Sequence, residues 1–282
     1  MSSSVASIRS VSSSPSSISS IASAGSGEPV VLLHSGGMSS RQWRRLMDRL
    51  AAGYRVLAPD FIGSGDNPPW PQGEPFHFDM DVAAVEAIVR DLARPIHLVG
   101  HSYGGFIAAT LARKNPDIIR SLTLFDPVAM GVLHDAEDPE GLANLGTVDG
   151  EDAFNDPALG GGDAWMEQFV DYWNGPGSWR ALPATTRDAF LRVGKKVFYE
   201  VTTLLRDRTP CAAYGGVKAP ALLLTGESSP IAARRVVHLL SESLPDATAH
   251  TIAGAGHMAP ITHAGAVNDL IVQHIERAAG AA

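Results

Sequence analysis

Gly100-His101-Ser102-Tyr103-Gly104 fits the pattern Gly-x-Ser-x-Gly. It directly follows the apolar run Ile96-His97-Leu98-Val99 and directly precedes an apolar stretch of helical character, Gly104 to Lys114. A serine on a tight strand-to-helix turn must adopt strained dihedrals. Small residues two positions before and after it let neighbouring backbone approach without a Cβ clash. Such a turn pushes the Ser102 hydroxyl out of the sheet edge and sets it at a helix N-terminus, where developing negative charge is favoured. The chemistry available to that hydroxyl is nucleophilic attack.

The elements that would position it alternate. Pro29 to Leu33 is a short continuous apolar run, as expected for a strand buried on both faces. A Gly-containing loop leads to a helical stretch, Ser40 to Ala51, with Trp43, Leu46, Met47 and Leu50 on one face. Tyr54 to Ala58 reads as a strand, and the segment Asp60 to Gly65 as a turn. Asp79 to Leu92 reads as a helix, Pro95 to Val99 as a strand, and Ser121 to Phe125 as the strand after the Gly104 to Lys114 helix. Residues 127–215 offer no clear apolar strand run. They carry helical patches at Trp165 to Trp173 and Thr185 to Arg206. Strand signals resume at Ala221 to Thr225 and Ala247 to Ile252, with helices at Ile231 to Ser243 and Ala264 to Ala278. The expectation is an α/β fold: a mostly parallel central sheet with helices on both faces, from residues 28–126 and 216–282, interrupted by helical residues 127–215.

Composition bounds the function classes. The chain has 282 residues, 45% apolar and 18% charged, and is globular by those measures. The net charge of −8 excludes a basic nucleic-acid footprint and a polybasic membrane patch. A single cysteine, Cys211, excludes an intramolecular disulfide and a Cys-rich metal site, and fits a reducing cytoplasm. No run of 18 apolar residues occurs, so no membrane-spanning helix is expected. Residues 1–27 hold 14 serines and one charge, Arg9. They read as a disordered tail outside the fold, with a fainter likeness to a transit peptide.

With the serine turn in its strand–helix setting, the chain resembles the α/β-hydrolase superfamily, in its form with a helical cap, over about residues 28 to 280. The resemblance implies a cap at residues 127–215. It also implies roles. His34-Ser35-Gly36-Gly37 matches the family's His-Gly loop, with Ser35 where Gly is usual. The Gly36 N–H, or alternately that of Gly37, would join the Tyr103 N–H as an oxyanion hole. Gly254-Ala255-Gly256-His257-Met258 matches the family's Gly-His loop, which makes His257 the base for Ser102. His101 reads as structural and His263 as a surface or helix-start residue.

The acid is less direct. The family usually carries it after the next-to-last strand, where this chain has Thr225-Gly226-Glu227-Ser228-Ser229-Pro230, with Ser229 at the expected Asp position. Some members carry it after the strand that follows the nucleophile's helix, where this chain has Asp126. Asp126 is the preferred acid and Glu227 the alternative; no acid at all is the third reading. Gly37 and Trp173 are assigned to substrate contact. Trp165, Phe169, Tyr172, Trp173 and Trp179 would form the cap core or line an acyl pocket.

The resemblance implies a serine hydrolase that cleaves a small ester-like substrate through an acyl-enzyme, with no metal or organic cofactor. Serine at the nucleophile position argues against the dehalogenase and epoxide hydrolase branches, which use Asp there. The alternatives are lyase, carbon–carbon hydrolase or cofactor-free oxygenase chemistry at the same residues, or a non-catalytic member that binds a small ligand.

Overall fold

The computed structural model describes residues 17–71, 73–149 and 152–280. Seven strands form one sheet: β1 (Ile21–Ala24), β2 (Glu28–Leu33), β3 (Tyr54–Pro59), β4 (Ile96–His101), β5 (Ile119–Phe125), β6 (Ala221–Gly226) and β7 (Ala247–Ile252). Their order is β1-β3-β2-β4-β5-β6-β7. Every pair is parallel except β1 with β3. The continuous apolar runs are explained by burial on both faces. Val31 and Leu33 enter one core, and Val30 and Leu32 enter the other.

Helices cover both faces, as expected. On one side lie α1 (Arg44–Leu50), which a 3₁₀ turn at Ser40–Trp43 leads into, and the C-terminal α12 (Ala264–Gly280). On the other lie α2 (Phe78–Asp91), α3 (Tyr103–Lys114) and α10 (Ile231–Ser243). Between β5 and β6 the chain forms α4 (Gly131–Asp135), α5 (Pro139–Asp149), α6 (Asp152–Asn155), α7 (Asp163–Asn174), α8 (Ser178–Ala181) and α9 (Ala184–Leu205). Their apolar faces, including Trp165, Met166, Trp179 and Val197, join the same core as α2 and α3. The short α11 (Ala259–Thr262) precedes α12.

One expectation is corrected. Part of the Ser-rich segment belongs to the fold: Ile21–Ala24 pairs antiparallel with β3, with Ile21 opposite Pro59 and Ala24 opposite Val56. Composition did not reveal it because an edge strand is held by backbone hydrogen bonds and needs little apolar pattern. Polar side chains add to the hold. Asn67 Oδ1 accepts from the Ser19 and Ser20 N–H groups, each at 2.9 Å, and Asp60 Oδ2 accepts from the Ser20 hydroxyl at 2.7 Å. The part of the expected tail at residues 1–16 lies outside the described residues.

The strand order explains how distant residues meet. In a parallel sheet the carboxyl ends of neighbouring strands lie along one edge, and crossovers in opposite directions open a crevice there. The loops after β2, β4, β5, β6 and β7 carry Gly36, Ser102, Asp126, Ser229 and His257 respectively.

Candidate active site

Ser102 has φ +55° and ψ −119°, which no residue in a relaxed helix or strand adopts. Packing enforces it. Ser102 N donates to Phe125 O at 2.9 Å, and the first turn of α3 begins with Phe106 N donating to Ser102 O at 2.9 Å. A Cβ at Gly100 would collide with the Gly104 carbonyl, and one at Gly104 with the carbonyls of Leu33 and His34. The spacing of the two glycines is therefore a requirement of close approach among β2, β4 and α3.

His257 and Asp126 meet across 131 positions of chain: Nδ1 of His257 lies 3.1 Å from Oδ2 of Asp126. Both side chains are buried, and Asp126 is fully so. Asp126 takes φ +41° at the end of β5, and its N–H donates to Leu224 O at 2.8 Å. Two hydroxyls donate to its carboxyl group, Thr225 to Oδ1 and Ser229 to Oδ2, each at 2.6 Å. Glu227, the alternative acid, is exposed and instead accepts from the Gly254 N–H at 2.7 Å. His101 Nε2 donates to the His257 carbonyl at 2.9 Å. Burial, then the neighbouring His257, push its pKa well below the ordinary value, so His101 stands neutral. The Trp173 ring stacks on His257 with centroids 4.1 Å apart and planes at 25°.

The loop after β2 is fixed by His34, whose Nε2 accepts from the Phe61 N–H at 3.0 Å while Nδ1 donates to Ser35 O at 2.7 Å. Burial holds its pKa down at about 4, which preserves the neutral form that can both donate and accept. Gly36 lines two cavities together with Ser102. Gly37 has φ +73° and packs under Phe190, where a Cβ would come within 2.7 Å of the ring.

The two cavities divide the site. One, about 50 Å³, is lined by Gly36, Ser102, Tyr103 and Trp173 and otherwise mainly by apolar side chains such as Val128, Met130 and Leu204. The other, about 530 Å³, also touches Ser102, Gly36 and Trp173, and includes His257. Trp173 and Phe169 stand at both, whereas Trp165 and Trp179 are buried in the core.

A charged cluster beneath the smaller cavity was missed from sequence. Lys196 and Glu200 of α9 form a buried ion pair, and Lys196 Nζ also lies 2.8 Å from Asp81 Oδ2 of α2. Asp81 accepts further from the Tyr103 hydroxyl at 2.9 Å and the Ile62 N–H at 3.0 Å. Burial alone would lower the Lys196 pKa, but Asp81 and Glu200 raise it overall. Burial pushes Glu200 up to about 7 against the pull of Lys196. The available signal was positional: residues 193, 196, 197, 200 and 204 share one face of α9, and that face is buried.

The description "alpha/beta hydrolase fold" matches residues 28–264, and the chain belongs to that family. Among curated relatives, the pimeloyl-[acyl-carrier protein] methyl ester esterase of Chromobacterium violaceum is 26% identical over 254 residues. That match covers 89% of this chain and 96% of that protein. The protein of the same name from Neisseria meningitidis serogroup C is 39% identical over 115 residues, 40% of this chain and 42% of that one. The solved structure of a thermophilic esterase from Thermogutta terrifontis superposes with a TM-score of 0.69 at 21% identity, covering 92% of this chain and 93% of that one. At that identity the superposition speaks for the fold alone. Among the described residues, no helix is long and apolar enough to cross a membrane.

Proposed function

We propose that this protein is a serine hydrolase of carboxylic esters, with Ser102 as nucleophile, His257 as base and Asp126 as the acid that orients the base. The observation that carries the reading is the 3.1 Å contact of His257 Nδ1 with Asp126, on a cavity that His257 shares with the strained Ser102. With Nδ1–H committed to Asp126, the His257 tautomer leaves Nε2 free to accept the Ser102 proton. Ser102 Oγ then attacks the ester carbonyl carbon. The N–H groups of Gly36 and Tyr103, the latter at the N-terminus of α3, stabilise the oxyanion. His257 returns its proton to the leaving alkoxide, the alcohol departs, and water activated by His257 hydrolyses the acyl-enzyme. Because His257 must reach the leaving oxygen, the alcohol belongs in the larger cavity that His257 lines. The acyl chain belongs in the smaller cavity, which carries Ser102 but not His257.

The relatives named as methyl ester esterases favour carboxylic esters as the substrate class. Helices α4 to α9 act as a cap that walls both cavities, with Trp173 holding the His257 ring by stacking. The single-cysteine composition supports a reducing cytoplasmic setting. A fluorophosphonate probe tests the reading. Wild type should be labelled and should turn over 4-nitrophenyl butyrate, whereas Ser102→Ala should do neither. Turnover that survives in Ser102→Ala would remove serine catalysis.

A further inference from the structure

Beyond the Ser102 hydroxyl, the lining of the acyl cavity is mainly apolar, and the Tyr103 and Tyr172 hydroxyls there are already paired with Asp81 and Asn144. Glu200 lines the cavity beside Gly36 and Ser102, and the residue is 1% exposed. Oε1 is held by Lys196, while Oε2 has no hydrogen-bond partner among the described residues. Oε2 lies 3.1 Å from the position a Cβ on Gly36 would occupy, so the carboxyl group stands against the loop that would hold the substrate's carbonyl oxygen. A buried carboxyl oxygen facing hydrocarbon walls is unfavourable, and native structures rarely keep one without a partner.

We propose that Glu200 is a specificity-determining residue that selects esters whose acyl chain carries a hydroxyl near the carbonyl carbon. The inference rests on Ser102 being the nucleophile and on the smaller cavity taking the acyl chain. A plain hydrocarbon chain would leave Oε2 buried and unpaired, because the apolar side chains that line the same cavity, Val128, Met130, Val197, Val201 and Leu204, carry no hydrogen-bonding group. The closeness of Oε2 to Gly36 puts the matching group on the second or third carbon of the acyl chain. A hydroxyl suits the site better than other polar groups. With a pKa raised to about 7, Glu200 passes between carboxylate and carboxylic acid around neutrality. Because Oε1 accepts from Lys196, the proton of the acid form sits on Oε2. A hydroxyl donates to the carboxylate and accepts from the acid, whereas an ammonium suits only the first form and a ketone or ether only the second.

The test compares kcat/KM for 4-nitrophenyl esters of butyric acid and of each enantiomer of 3-hydroxybutyric acid, with every value divided by that ester's hydroxide-catalysed rate. Wild type should favour one hydroxy ester over the plain ester by about 10-fold or more. Glu200→Met, similar in length and apolar, should lose most of that preference. A wild-type ratio of one or below, or an equal ratio in both proteins, overturns the proposal. A wild-type ratio of one or below overturns the proposal even if Glu200→Met fails to fold, and Glu200→Leu then takes its place in the comparison. Fluorophosphonate labelling run in parallel separates the two claims. Labelled Ser102 with no hydroxyl preference sinks the role of Glu200 alone. An unlabelled serine with neither ester cleaved sinks the hydrolase reading, and the specificity with it.

Discussion

The hydroxyl of Ser229 donates a 2.6 Å hydrogen bond to Oδ2 of Asp126, the same oxygen that meets His257 Nδ1 at 3.1 Å. Ser229 occupies the loop position where the resemblance leads one to expect the acid itself. β5 and β6 are neighbours, and the last residues of each reach the loop after β7. A carboxyl group can therefore arrive at His257 from either strand end. Here it comes from β5, and the residue left at the β6 site has become its hydrogen-bond donor.

Asp126→Asn should lower kcat/KM for 4-nitrophenyl butyrate by about 10⁴-fold while the protein stays folded, because an amide neither fixes the needed tautomer nor balances the imidazolium charge. Glu227→Gln should stay within a few-fold of wild type, since Glu227 only caps the Gly254 N–H. Steady-state kinetics of the two variants decide between them, and the reverse pattern would make Glu227 the acid.

Ser229→Ala removes one of the two hydroxyl donors to Asp126. Its effect should fall on kcat, by about 10-fold, with KM nearly constant, as expected for a charge-assisted hydrogen bond that orients the acid and does not touch substrate. An unchanged kcat would show that Thr225 alone suffices.

A chain beginning at Glu28 should melt lower than the full chain, by about 5 °C or more. It loses the β1 ladder and the ties of Ser19 and Ser20 to Asn67 and Asp60. Asp60 depends on these ties. Burial raises its pKa, but the Ser40 and Asp66 N–H groups and the Ser20 hydroxyl together bring it below the usual value. Equal melting temperatures by differential scanning calorimetry would show that β1 adds nothing.

Stability should fall as pH drops below 6.5. Burial first of all holds the pKa of both His34 and His97 at about 4, against 6.5 for the free side chain. Between those values the unfolded chain binds protons that the folded chain refuses, so folding loses stability on acidification, by about 3 kcal/mol for His34 alone. Glu200 has the opposite sign. Its folded pKa of about 7 lies above the model-peptide value of 4.5, so protonation favours the fold as pH falls through that window and offsets one histidine. Urea unfolding at pH 5 and pH 7 should show the net loss, and Glu200→Gln should enlarge it. A flat profile in wild type would contradict the histidine account.

The strand–turn–helix around Ser102 was legible because its marks in the sequence are local, even though β2 enforces one of them: an apolar strand, two glycines and an apolar helix lie within some twenty consecutive residues. Most helix bounds followed from their 3.6-residue period, with Ile231–Ser243 matching at both ends. His257 could be named from its Gly-rich loop through the family likeness. What stayed hidden was non-local or lacked a pattern. β1 is a four-residue edge strand without an apolar run, visible only once β3 offers its free backbone edge. The family likeness already preferred Asp126 to Glu227, but only the packed strand ends bring the Asp126 carboxyl to His257 and leave Glu227 exposed. Lys196 and Glu200 have only the i,i+4 spacing of opposite charges in the sequence, and their burial follows from α9 packing that face against Asp81 and Tyr103. Short-range sterics and periodicity wrote the Ser102 turn and most of the sheet into the sequence. Packing of elements distant along the chain brought Asp126 to His257, formed the edge strand and buried Glu200 beside Lys196, because only tertiary contact determines which charges share a buried volume.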